Sequence, residues 1–138
     1  MKIKCLLVMP GKEVQKIKIP ESIKFIKSFL GRNLQKISLD KNNVIYISKN
    51  ADYTEYNRLF RDGVLIGSFL IVSTKNGRKV SMKKRDLRKY TNMFKLAKHE
   101  KKVEQFKDEF LEEFYSNQRK IKEKNRQRNK ENLFENAA

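Results

Sequence analysis

All five glycines and both prolines of this 138-residue chain lie before residue 78. Glycine supplies left-handed backbone at turns, and proline fixes φ and removes a donor. The first part of the chain is therefore built to reverse direction often, and the remainder is not. Short apolar runs between these breakers predict strands across residues 2–80, whereas the breaker-free stretch from Ser81 onward is rich in helix formers. The expected fold class is α+β: a small mixed or antiparallel sheet with one short covering helix, followed by a helical C-terminal extension. In domain terms, residues 1–80 form the core, 81–118 an amphipathic helical extension packing on or projecting from it, and 119–138 a basic tail. A chain of this length has room for one core and an appendage.

Local signals place the elements. Ile3 to Met9 reads as a buried strand, Pro10-Gly11-Lys12-Glu13 as a turn, and Val14 to Ile19 as the returning strand, with partial alternation that turns its lysines to water. Ser22 is placed to cap a short helix ending at Leu30, with Gly31 closing it; Ile23, Ile26, Phe29 and Leu30 share one side and should cover a sheet face. Leu34 to Leu39 and Val44 to Ser48 predict a second hairpin around Asp40-Lys41-Asn42-Asn43. A polar, aromatic loop is expected around residues 52–58. Val64 to Val72 then reads as one central strand with Gly67 at a bulge, closed by the Asn76-Gly77 turn. Ser81 should cap a helix from Met82 to about Lys95 carrying Leu87, Tyr90 and Phe94 on one stripe, and Val103, Phe106, Phe110 and Phe114 form a second stripe.

The succession of Met9-Pro10-Gly11-Lys12 after an opening strand, a short helix ending in Gly31, a strand near Val44 to Ser48, then Asn57-Arg58 and a strand containing Gly67, resembles a known family. It is a family of small bacterial, phage and plasmid proteins defined as a domain of unknown function, number three-eight-four-six. The likeness covers roughly residues 3–95. It implies a compact α+β domain that is frequent on mobile genetic elements, and it carries across no reaction, cofactor or catalytic residue. The extension from Ala97 onward departs from the family pattern.

Charge points to a partner. Thirty-three Lys and Arg face sixteen Asp and Glu, for a net charge of +17 and a pI near 10.0. Abundant Lys, Asn and Ile beside scarce Ala also fit AT-rich codon usage, but that bias raises Glu as well and leaves the basic excess to be explained. The charge is in blocks. Residues 75–98 hold ten cations (Lys75, Arg78, Lys79, Lys83, Lys84, Arg85, Arg88, Lys89, Lys95 and Lys98) against Asp86 alone. On a helix, Lys84, Arg88 and Lys95 should share a side that phosphates can follow. Residues 100–113 reverse the sign, with six acids against three lysines, and should repel nucleic acid. A second basic block follows in Arg119, Lys120, Lys122, Lys124, Arg126, Arg128 and Lys130, opposed by Glu123. Both blocks fit attachment to a phosphate backbone by counterion release; a solvated helix face and a solubilising tail account for the same residues. No reader motif for base sequence accompanies them.

Asn57 and Arg58, with Tyr53, Tyr56 and Phe60 nearby, form a candidate ligand loop for a phosphate, carboxylate or stacked base. The alternative is that Arg58 ties a loop to backbone carbonyls while the aromatics pack. Tyr46 reads as strand packing, and Cys5 as a small buried hydrophobe. His99 reads as a solvated surface residue, and no catalytic constellation surrounds it, so the chain is expected not to be an enzyme. One cysteine and one histidine exclude an internal disulfide and the usual zinc-ligand sets, so no metal and no cofactor are expected. Asp108, Glu109, Glu112 and Glu113 read as solvated acids. No apolar run approaches a membrane span, and a cytoplasmic location is expected. The leading expectation is a non-catalytic mobile-element accessory protein that binds nucleic acid or a nucleoprotein complex through the basic segments. A rival is a protein–protein inhibitor of a host defence nuclease, docking through the Phe106, Phe110 and Phe114 stripe or through the basic face. Self-assembly through residues 97–118 is a third reading.

Overall fold

A computed structural model describes residues 1–51, 55–105 and 108–109. The chain divides into two compact units, Met1–Val103 and Glu104–Ala138, and the first holds the whole sheet. Its elements run β1 (Lys2–Val8), β2 (Gln15–Pro20), α1 (Ile23–Leu30), β3 (Leu34–Ser38), β4 (Asn43–Ser48), β5 (Tyr56–Phe60), β6 (Gly63–Ile66), β7 (Phe69–Lys75), β8 (Arg78–Val80) and α2 (Lys84–Met93). A helical segment follows over residues 96–103. The fold is α+β with antiparallel strands throughout. The main sheet has the order β2-β1-β7-β4-β3, with β8 also paired to β7, and β5-β6 forms a separate hairpin.

The pleat explains the hydrophobic pattern. Successive residues of a strand point to opposite faces, and β1, β4 and β7 are buried on both. One face gathers Ile3, Cys5, Leu7, Ile19, Val44, Tyr46, Leu70 and Val72 beneath Ile26 of α1. The other gathers Leu6, Val8, Ile45, Ile47, Phe69 and Ile71 against Leu65 of β6, Leu87 and Tyr90 of α2, and Phe94 at the C-cap of that helix. Each fully buried aliphatic or aromatic side chain contributes about 1.5–3 kcal/mol, so continuous apolar runs rather than alternation mark the central strands. Cys5 is wholly buried among them, and burial pushes its thiol up to about 12.

Several expected local devices are present. Ser22 Oγ accepts from Phe25 N–H at 3.4 Å, and Gly31 N–H donates to Lys27 O at 2.8 Å, bounding α1. Asp40 Oδ1 accepts from the backbone N–H groups of Asn42 and Asn43 at 2.7 and 2.9 Å, which sets the β3–β4 turn. Asn76 and Gly77 both take positive φ, the two-residue hairpin geometry that matches strand twist.

Three expectations are corrected. Val64 to Val72 is two strands in two sheets: Gly67, at φ +84°, breaks the run and donates to Glu55 O at 2.7 Å. A Cβ there would lie 2.8 Å from Ala51 Cβ, so the position requires glycine for space as well as conformation. The expected loop near residue 58 is instead β5, although residues 52–54 lie outside the described set. Ser81 does not cap a helix; its Oγ accepts from Lys4 N–H at 2.9 Å, so it extends the sheet, and α2 begins at Lys84 without a side-chain cap. α2 packs on this face of the sheet, within the compact unit Met1–Val103.

Asp40 joins the β3–β4 turn to α2 by accepting from Tyr90 Oη and, through both carboxylate oxygens, from Asn43 Nδ2. Burial alone would raise its pKa, but these hydrogen bonds and those from Asn42 and Asn43 N–H outweigh it and hold the carboxyl below its ordinary value of 3.8. Folding thus favours the carboxylate: the stabilisation is complete above the unfolded-state value and is lost as pH falls through the folded one. Asp40→Asn should therefore melt below the wild type at neutral pH, with the gap closing on acidification to about pH 3. Thermal melts of both proteins across that range check it.

Candidate functional site

Two polar arrangements organise the molecule, and they differ in kind. The first is internal. A bulge between Tyr56 and Arg58 sends the adjacent Asn57 and Arg58 both inward, where alternation would have exposed one of them. Asn57 Nδ2 donates to Val8 O at 2.9 Å and Gly67 O at 2.8 Å, and its Oδ1 accepts from Arg58 Nη1 at 2.9 Å. Arg58, fully buried, donates through Nε to Phe94 O at 2.8 Å, through Nη1 to Met9 O at 3.4 Å, and through Nη2 to Lys12 O. Burial lowers its pKa, and the acids Glu13 and Glu100 oppose that effect from longer range.

His99 extends this arrangement. Its Nδ1 accepts from Leu59 N–H at 3.2 Å, Nε2 donates to Met93 O at 2.7 Å, and the ring stacks on Phe94 with centroids 5.9 Å apart. It is thus a half-buried tie between β5 and the end of α2, not the solvated residue expected. Asn57 and Arg58 are likewise engaged with backbone carbonyls, and Tyr56, beside them, is half-buried. The ligand-loop reading gives way to a clamp that holds the β5–β6 hairpin, the β1–β2 turn and the end of α2 together. Of the carbonyls met by Arg58, the buried Phe94 O would cost about 1–3 kcal/mol unsatisfied, and the part-buried Met9 O and Lys12 O less.

The second arrangement faces outward. Register pairs Lys4 with Lys18 and Leu6 with Lys16 across β1 and β2. Opposed residues of an antiparallel pair point to the same face, and Leu6 belongs to the α2 side. Lys4, Lys16 and Lys18 therefore rise beside α2. From the helix, Lys84 and Arg88, one turn apart, lean back toward them while Leu87 is buried below. Among the described residues, these five cations with Ile17 and Leu87 bound a groove of about 430 Å³, and no described acid lines it. Ion pairs among the described residues are Arg78–Glu21 at 3.8 Å and Arg85–Asp86 at 3.7 Å, so no groove cation is neutralised by one.

The remaining residues of the 75–98 block divide. Arg85 and Lys89 are exposed on the outer side of α2, continuing from Lys84 and Arg88, and Lys83 is exposed at its start. Lys75, Arg78 and Lys79 belong to a different pocket, at the β7–β8 turn with Lys2 and Glu21, where Lys79 Nζ also lies 5.8 Å from the Tyr46 ring centre. Lys95 is exposed but lies past the end of α2 at Met93, so it does not continue the Lys84–Arg88 row as the spacing suggested. Lys98 donates to Asn92 Oδ1 at 3.0 Å. Arg119, Lys120, Lys122, Lys124, Arg126, Arg128 and Lys130, and the stripe of Phe106, Phe110 and Phe114, lie outside the described residues. Sequence reasoning missed Lys4, Lys16 and Lys18 as site residues. Their signal was the Lys-Ile-Lys alternation on both strands of the first hairpin, legible only once register aligned it.

The groove is electrostatically costly without a ligand. Like charges directly opposed on a sheet, or at i, i+4 on a helix, are destabilising. Lys4 faces Lys18, and Lys84–Arg88 and Arg85–Lys89 repeat the conflict along α2. Lys84 and Arg85 also occupy the first turn, against the positive end of the helix dipole.

The family model described as Domain of unknown function (DUF3846) matches residues 1–95, and the chain belongs to that family. Neither the curated proteins nor the solved structures return a match. Among the described residues, no helix is long and apolar enough to cross a membrane, and no cluster of three or more His, Cys, Asp or Glu side chains suits a metal ion.

Two outcomes are expected. Arg58→Met should lower unfolding free energy by on the order of 3 kcal/mol or more, from several stranded carbonyls, measured by urea denaturation. Lys18→Gln should instead stabilise the fold by a few tenths of a kcal/mol, a gain visible near about 20 mM salt and shrinking toward about 500 mM as screening replaces it.

Proposed function

We propose that this member of the family binds nucleic acid through the phosphate backbone, with the groove between β2 and α2 as its main contact surface. Its mode of action is occupancy, not chemistry. The observation that carries this reading is the convergence of Lys4, Lys16, Lys18, Lys84 and Arg88, from three elements, on one concave surface with no acid among its described lining residues. A solubilising charge distribution has no need to bring like charges together; a phosphate-binding surface does, since each phosphate engaged displaces condensed counterions. Arg85 and Lys89, exposed on the same helix, extend the positive surface beyond the groove. The net charge of +17 supplies long-range attraction that speeds encounter with a polyanion. Arg88 adds a planar fork that matches two phosphate oxygens, while the lysines act as point charges.

The test is binding of labelled oligonucleotides at a series of salt concentrations. Log affinity should fall linearly with log salt, with a slope of about −3 to −4 if the groove cations each meet a phosphate of a single strand. Replacing Lys84 and Arg88 with Gln together should flatten that slope by about one to two. No binding at low salt, or a slope near zero, refutes the proposal.

A further inference from the structure

The nature of the groove goes further than its charge. We infer that the groove takes one sugar–phosphate strand, by its phosphates alone and without regard to base; this rests on the nucleic-acid reading above and deepens it. Among the described residues, the groove lining beyond the five cations is Ile17 and Leu87. Neither is a ring on which a base can stack, and such stacking supplies about 1–3 kcal/mol per base where it occurs. No described amide, hydroxyl or carboxylate lines the groove to address a base edge, and the donor-plus-acceptor pattern that reads adenine or cytosine needs one.

The shape of the site agrees. One wall is the edge strand β2 with its neighbour β1, and the other is a helix packed on the same sheet, with Leu87 at the junction. A duplex holds its phosphates at fixed positions on two backbones either side of a major groove about 12 Å across, so it meets these two walls less completely. A flexible single strand can follow the row from Lys16 and Lys18 across Lys4 to Lys84 and Arg88.

The groove without a ligand also stores repulsion. Lys4 and Lys18, and Lys84 and Arg88, are held close by register and helix spacing. A strand whose phosphates recur along its length relieves both conflicts together, so its binding should also raise the melting temperature. Monovalent anions at equal ionic strength, which only screen, should do so less.

The experiment uses the full chain and probes of about 12 units: an abasic deoxyribose-phosphate strand, oligo-dT, oligo-dA and a duplex of the same length, read by anisotropy at low salt. The expected result is that the three single strands bind within about threefold of one another and at least about fivefold more tightly than the duplex. Lys16→Gln with Lys18→Gln should weaken all three strands by about tenfold or more. Lys24→Gln with Lys36→Gln removes the same charge from α1 and β3, and should weaken them no more than about twofold. All four positions are exposed, and circular dichroism melts confirm that both variants remain folded. A duplex preference, loss of binding by the abasic strand, a tenfold difference between oligo-dT and oligo-dA, or equal weakening by both double variants each overturns the inference while leaving nucleic-acid binding itself standing. No binding of any probe overturns both.

Discussion

The burial of Leu87, Tyr90 and Phe94 against one face of the sheet is the constraint on which the rest depends. These residues recur at helical spacing, so once they are buried one flank and the outer side of α2 must face solvent. The flank carries Lys84 and Arg88 at the groove, and Arg85 and Lys89 lie beyond it. The same face of the sheet presents Leu6 to the helix and, two residues earlier on β1, Lys4. A single apolar contact thus fixes both walls of the cationic groove. Phe94 meets Phe69 edge-on with centroids 5.3 Å apart, and its backbone carbonyl receives the Arg58 guanidinium.

Polar ties then secure what the apolar contact positions. Asn57, Arg58 and His99 join elements remote in sequence through backbone groups, among which Val8 O, Gly67 O and Phe94 O would otherwise be buried without these partners. An arginine suits this work because its planar fork serves several carbonyls at once, where a lysine offers a single point. Burying that charge is costly, and the surrounding carbonyl oxygens, with Glu13 and Glu100 at longer range, offset part of the cost. Asp40 performs a matching task at the other end of the helix face by holding Tyr90.

The two charge arrangements therefore stand in contrast. Where the chain uses polar groups for stability, each meets a partner: Arg58 its carbonyls, Asp40 its hydroxyl and amides, Ser73 the Asn43 side-chain oxygen. In the groove, like charges face one another with no acid among its described lining residues. Stability selects against such a placement. This contrast, rather than the overall basicity, is what the proposed binding of a polyanion rests on.

Much of the fold was legible in the chain because its signals are local. The Ser22 cap, the Asp40 turn, the Asn76-Gly77 turn and the apolar stripe of α2 each depend on residues within a few positions of one another, and the paired runs of β1 with β2 and β3 with β4 followed from the turns between them. Positions 57 to 67 resisted the same reading. A bulge and a glycine break cancel the period-2 pattern there, and the partners of Asn57 and Arg58 lie 36 to 49 residues away for the bonds to Val8, Met9 and Phe94. By itself the sequence determined an α+β chain with a strongly basic helix and lysines alternating along its first hairpin. Only the tertiary structure decided that the hairpin lysines and the helix cations share one groove, while Lys75, Arg78 and Lys79 do not. The reason is that strand register and helix docking are set by long-range burial, which no short window of residues contains.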